Sequence, residues 1–221
     1  MGTITRTFAN NITTSGVFKP TAFNNASFDN VTAVPSGSLP AGGNMVLLST
    51  QTASSSASIS FTSGIDSTYK EYMFIFNNIH PSIDNRNLQF NMSTDGGSNY
   101  NVTKTTTFVE TYHNEADTDT ILQYNAGGDL AQSTAFQRLM GNVGNGSDES
   151  YSGTLQIFNP SSSTFVKHFI ADGNSYHGAD YSARWLIAGY GNTTSAVNAI
   201  KFQMASGNFD GIIKLYGVKK S

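Results

Sequence analysis

The sequence predicts an all-β chain, an antiparallel β-sandwich of jelly-roll type carrying an extended N-terminal arm. Three observations predict it. After residue 45, apolar and polar residues alternate with period two in several runs, as half-buried strands require. Clusters of Gly, Asn, Asp and Pro separate those runs at the spacing of an antiparallel sandwich. Charged residues make up only 12% of the 221 residues and aromatics another 12%. Such a chain has few ions to solvate helix faces and many side chains suited to a pleated surface.

Residues 1–44 read as an arm and linker. Thr7-Phe8-Ala9-Asn10-Asn11-Ile12 and Thr21-Ala22-Phe23-Asn24-Asn25-Ala26 resemble each other, and Phe28-Asp29-Asn30-Val31 echoes part of both. Each unit carries one or two apolar side chains and an Asn turn, too little to bury a core alone, so the arm is expected to order against a partner. Phe8, Ile12, Phe18, Phe23 and Phe28 are its candidate docking residues. A floppy tail is the plainer reading, but disordered tails are poor in aromatics. Pro35 to Gly43, with two prolines and three glycines, then reads as a linker to a domain spanning 45–221.

Within that domain, Ala57/Ile59/Phe61, Leu88/Phe90/Met92 and Ile200/Phe202/Met204 alternate with polar neighbours. Tyr72 to Phe76 and Trp185 to Ala188 are apolar on both faces, as central strands are. Turn signals fall at Asn77-Asn78, Asp95-Gly96-Gly97, Gly144-Asn145-Gly146, Asp172-Gly173-Asn174 and Ser206-Gly207-Asn208. The pattern gives eight to ten strands. Only Glu115 to Leu122 and Asp129 to Leu139 invite a short helical turn.

Composition also excludes classes of function. A formal net charge of −3 supplies no basic patch, so neither nucleic-acid binding nor a polybasic membrane anchor is expected. No apolar run is long enough for a membrane-spanning helix, and no membrane insertion is expected. With no cysteine there is no disulfide framework, thiolate metal site or cysteine nucleophile. Stability must come from the core or from neighbouring subunits. The seven Asn-x-Ser/Thr triplets are what chance gives in a chain this rich in those residues.

Several stretches are familiar. Met1 to Phe8, Ile65 to Tyr72, Gly153 to Pro160, Gly207 to Gly211 and Leu215 to Gly217 resemble tail-fibre-like and other virion appendage proteins of marine short-tailed bacteriophages. The likeness spans most of the chain, and its motifs are structural. It implies a virion component: a fibre, a tail-attached adaptor or a head decoration. The expected protein is a fibre-like homo-oligomer on the particle's exterior (a trimer in the first instance), with other virion proteins and host surface carbohydrate as its partners. A capsid decoration or cement protein is the alternative, and a glycan-degrading tailspike the remote one.

No catalytic residue, cofactor or metal site is expected. His80, His113, His168 and His177 lack the spacing of a zinc site. His113 to Asp119 holds three carboxylates in five residues, yet lacks the glycine and terminal glutamate of a calcium loop, and reads better as a solvated loop. Gly-x-Ser-x-Gly is absent, and carboxylate pairs such as Asp148/Glu149 or Glu110/Asp117 are glycosidase-like candidates. For glycan contact the candidates are Trp185, the single tryptophan, with Tyr176, Tyr181 and Tyr190, since a ring can stack on the apolar face of a sugar. A core tryptophan flanked by strand-end tyrosines is the competing and commoner arrangement.

Overall fold

The computed structural model describes residues 44–219. The candidate docking residues Phe8, Ile12, Phe18, Phe23 and Phe28 lie outside the described residues. Those described are all-β, with twelve strands: β1 (Met45–Ser56), β2 (Ser58–Phe61), β3 (Glu71–Pro81), β4 (Leu88–Ser93), β5 (Lys104–Asn114), β6 (Thr120–Tyr124), β7 (Gln137–Arg138), β8 (Tyr151–Phe158), β9 (Lys167–His177), β10 (Tyr181–Gly191), β11 (Ala199–Met204) and β12 (Phe209–Val218).

Two antiparallel sheets pack as a sandwich. One has eight strands in the order β1-β12-β3-β8-β9-β10-β5-β6, the other four in the order β2-β11-β4-β7. Half of the larger sheet, β1-β12-β3-β8, and all of the smaller one reproduce the jelly roll. Strands β1 and β2 pair with β12 and β11, and β3 and β4 pair with β8 and β7, so two long ribbons wrap around one core. The additions are two hairpins, β5-β6 and β9-β10, which extend the larger sheet past β8.

The period-two runs form strands because one face of each is apolar. Tyr72, Phe74, Phe76 and Ile79 of β3 point inward, against Ile59 and Phe61 of β2 and Phe202 of β11. Phe202 is the hub of the core, with ring centroids 5.1 Å from Phe74, 5.2 Å from Phe76, 6.2 Å from Phe61 and 6.4 Å from Phe90. Phe90 in turn meets Phe169 of β9 edge-on at 5.1 Å. The aromatic chain thus runs from the jelly roll into the extension.

The two segments that invited helical turns are not helical. After β5, the Asn114 side chain accepts from the Thr118 and Asp119 amides, and Asp117 takes a positive φ of 55°. That reverses the chain into β6, which pairs with β5 from Val109 to His113. In the second segment the backbone bonds to distant strands: Thr106 N–H to Leu130 O, Lys104 N–H to Ser133 O, and Gln137 and Arg138 opposite Phe90 and Gln89. These long-range ladders satisfy groups that a local helix would have satisfied.

Candidate functional site

Two surface features stand out from the sandwich. The first is the outer face of the eight-stranded sheet. Seven of the nine large apolar side chains that are exposed among the described residues stand on it: Met45, Leu47, Leu122, Tyr124, Ile170, Leu186 and Ile212. The register lines them up across strands. Leu47, Tyr216, Met73, Gln156, Ile170 and Ala188 oppose one another in one row. Ile75, Thr154, Asp172, Leu186, Val109 and Tyr124 form the next. In the second row Asp172 is neutralised by Arg184 of an adjoining row, while Lys214, opposite Ile75, has no ion pair among the described residues. Arg184 Nη2 and Nε reach Asp172 Oδ2 and Oδ1 at 2.6 and 2.9 Å, a bidentate pair whose hydrogen bonds hold the Asp172 carboxyl below its ordinary range. Gln156 Nε2 donates to Glu71 at 3.0 Å.

The second feature is a cleft of about 390 Å³ on the inner side of the extension, between β5, β10 and the 125–142 segment. Tyr112, Tyr181 and His177 form an edge-to-face group there, with centroids 4.9 Å apart for the two tyrosines and 5.5 Å for His177 and Tyr181. Trp185 lies at its floor. Its Nε1–H donates to Ser175 Oγ at 2.9 Å, and its ring packs 5.6 Å from that of Phe108. The ring tip passes so close to Gly141 that a Cβ there would stand 2.7 Å from it.

The polar groups of the cleft are placed by the same elements. Glu110 points inward from β5 because it falls in the alternation Thr106, Phe108, Glu110, Tyr112. Its carboxylate accepts from the amides of Gln123 and of Asn125, the latter at 2.8 Å. The Arg138 guanidinium lies 5.4 Å over the Phe108 ring. Its Nη atoms make only long contacts, 3.4 Å each, to Gly127 O and Asn87 Oδ1, and its Nε–H is buried without a partner. Burial lowers the Arg138 pKa, and the nearby Glu110 charge opposes that. His177 Nδ1 accepts from the Ala179 amide at 3.1 Å, so the neutral ring carries its proton on Nε2. Burial lowers the His177 pKa as well, against the pull of Asp84, Glu110 and Glu149.

The four residues singled out for glycan contact do not form one platform. Trp185 is 3% exposed, and this corrects its reading as a stacking surface: it is a core residue whose ring closes the floor of the cleft. Tyr181 lies in the cleft, its hydroxyl donating to Asp119 at 3.2 Å. Tyr176, one residue out of phase with His177, is on the opposite face. A hydrogen bond to the Glu115 carboxylate pushes its phenol up to about 12. Tyr190 is at the far end of β10 beside His168, at 6.1 Å. The alternation along Lys104–Asn114 could have found Glu110 and Tyr112. Arg138 and Asn142 come from the connecting segment and carry no such signal.

The carboxylates near His113 are spread among different partners. Asp117 meets His113 at 2.9 Å, Asp119 meets Tyr181 and Glu115 meets Tyr176. Among the described residues no group of three or more His, Cys, Asp or Glu is arranged to hold a metal ion. His80 Nδ1 is 2.7 Å from Glu149 O. The Glu149 carboxylate itself accepts from the Gly146 amide. Comparison with known proteins gives no matching family model, no matching curated protein and no matching solved structure.

Proposed function

We propose that this chain is a non-enzymatic structural component of a bacteriophage virion, an oligomeric tail-fibre or fibre-like appendage displayed on the particle's exterior. Its sandwiches associate through the outer face of the eight-stranded sheet, and its N-terminal arm joins them to other virion proteins. The virion assignment rests on the resemblance of the stretches from Met1 to Phe8, Gly153 to Pro160 and Leu215 to Gly217. The observation that carries the assembly is the gathering of exposed apolar side chains on one sheet face. Soluble monomers rarely leave such a patch bare.

A second copy is the occupant that fits. Eight strands at about 4.8 Å spacing span about 34 Å, and strands about 25 Å long make the face roughly 850 Å². A stable interface needs about 800 Å² from each partner. The face has no uncompensated block of one charge to repel its copy, since Asp172 and Arg184 neutralise each other. Two copies meeting face to face would share a twofold axis. The trimer expected from the sequence would instead set the Met45/Leu47 side of one copy on the Leu122/Tyr124 side of the next. Sedimentation velocity of the full chain across the micromolar range distinguishes these by mass. Leu186→Asp combined with Ile170→Asp is expected to give monomers with unchanged circular dichroism. A wild-type chain that is monomeric throughout that range sinks the assembly reading.

A further inference from the structure

We propose that the cleft floored by Trp185 is a binding site for a neutral hexose unit of a polysaccharide. It lies on the inner side of the extension, away from the face assigned to self-association, so the inference holds whether or not the chain assembles. Its volume, about 390 Å³, is at the small end of ligand pockets, about 300–1,000 Å³, and suits one or two sugar rings.

The lining chemistry selects the class. A pyranose has an apolar C–H face and a rim of hydroxyls that both donate and accept. The rings of Tyr112 and Tyr181 supply apolar aromatic surface, and the Trp185 ring closes the floor. Donors with capacity to spare are the Arg138 Nη groups, held only by long 3.4 Å contacts, and the Nε2–H of neutral His177. The Glu110 carboxylate is held by two amides on its oxygens, and its remaining lone pairs can accept from hydroxyls. Asn142 stands exposed at the cleft and its side chain makes no hydrogen bond of its own. One guanidinium and one carboxylate cancel, so a phosphate has no net positive site to favour it. An α-amino acid would meet the same two charged groups but has no apolar face for the Tyr112 and Tyr181 rings, and glycine tests it.

Trp185 is the only tryptophan of the chain, so its fluorescence reports on this cleft alone. The full-length protein is titrated with glucose, galactose, mannose, N-acetylglucosamine and N-acetylgalactosamine, and separately with glycine and inorganic phosphate. Saturable change in Trp185 emission with at least one sugar, in the millimolar range, is expected. Asn142→Gly removes the amide while tolerating the positive φ of 48° at that position, and should weaken binding about tenfold. Tyr181→Leu should abolish it, with thermal unfolding of both variants showing that they remain folded. Tyr190→Ala, on the opposite face, should bind as wild type. The proposal is overturned if none of the five sugars acts up to tens of millimolar. It is equally overturned if only glycine or phosphate acts, or if Asn142→Gly and Tyr181→Leu both bind as wild type.

Discussion

Lys104 has no exposed surface and forms no ion pair. Its ammonium donates to Asn91 Oδ1 at 2.5 Å and Val102 O at 2.8 Å. Burial brings its pKa down from 10.5 to about 7. Between those values the unfolded chain holds a proton that the folded one has released, so stability rises with pH; below about 7 both states are charged and the contribution is flat. The two acceptors favour the ammonium and moderate the effect, which we set at about 1–2 kcal/mol between pH 7 and 9. Urea denaturation at pH 7, 8 and 9 should show this slope in the wild type and a flatter one in Lys104→Met. Equal slopes would mean that the ammonium stays charged in the fold. Lys167, also lowered by burial, keeps the same sign in both proteins. Tyr151 offers a second test at this scale. Its hydroxyl is buried without a partner, and burial pushes the phenol far up. Tyr151→Phe therefore removes an unsatisfied group and no hydrogen bond, and should leave stability unchanged or raise it by about 1 kcal/mol. A loss of that size in a denaturant titration would contradict the assignment.

At the scale of elements, β8 and β9 show how a strand can require an absence. Gly153 and Gly173 face each other across the ladder, and the Tyr151 ring and hydroxyl fill the space their missing side chains leave. A Cβ on Gly173 would stand 2.4 Å from Tyr151 Cε2. Gly173→Ala should cost about 1–3 kcal/mol by overpacking, read as a lowered denaturation midpoint. In the smaller sheet, β11 runs between β2 and β4 and places Phe202 among four other rings. Phe202→Ala should cost about 3–5 kcal/mol. A cost below 1 kcal/mol would show that the core collapses readily into the space.

For the whole molecule, residues 44–219 bury one continuous core, from Phe61 in the jelly roll to Trp185 in the extension. A chain beginning at Asn44 should therefore keep the thermal midpoint and far-ultraviolet circular dichroism of the full protein, while losing incorporation into the particle if the arm is the anchor. Failure of that shortened chain to fold would make the arm part of the core. Normal incorporation would move the docking surface onto the sandwich.

What the sequence determined by itself was whatever depends on local alternation; its turn signals were a poorer guide, since Asn77-Asn78 and Asp172-Gly173-Asn174 lie inside β3 and β9. The faces of β2, β3, β4 and β11 were legible because their apolar residues recur every second position, which fixes which side is buried. A central place for β3 and β10 followed from strands apolar on both faces. Twelve strands formed where eight to ten were read, in part because β6 and β7 are short and owe their pairing to β5 and β4, not to any pattern of their own. The order of the sheets, the extension by two hairpins and the alignment of exposed apolar residues across eight strands came only with the tertiary structure. So did the meeting of Trp185, whose core placement was the commoner expectation, with Arg138 and Asn142 around one cleft. Cross-strand register joins residues far apart in the chain, and no local periodicity encodes which strands will be neighbours.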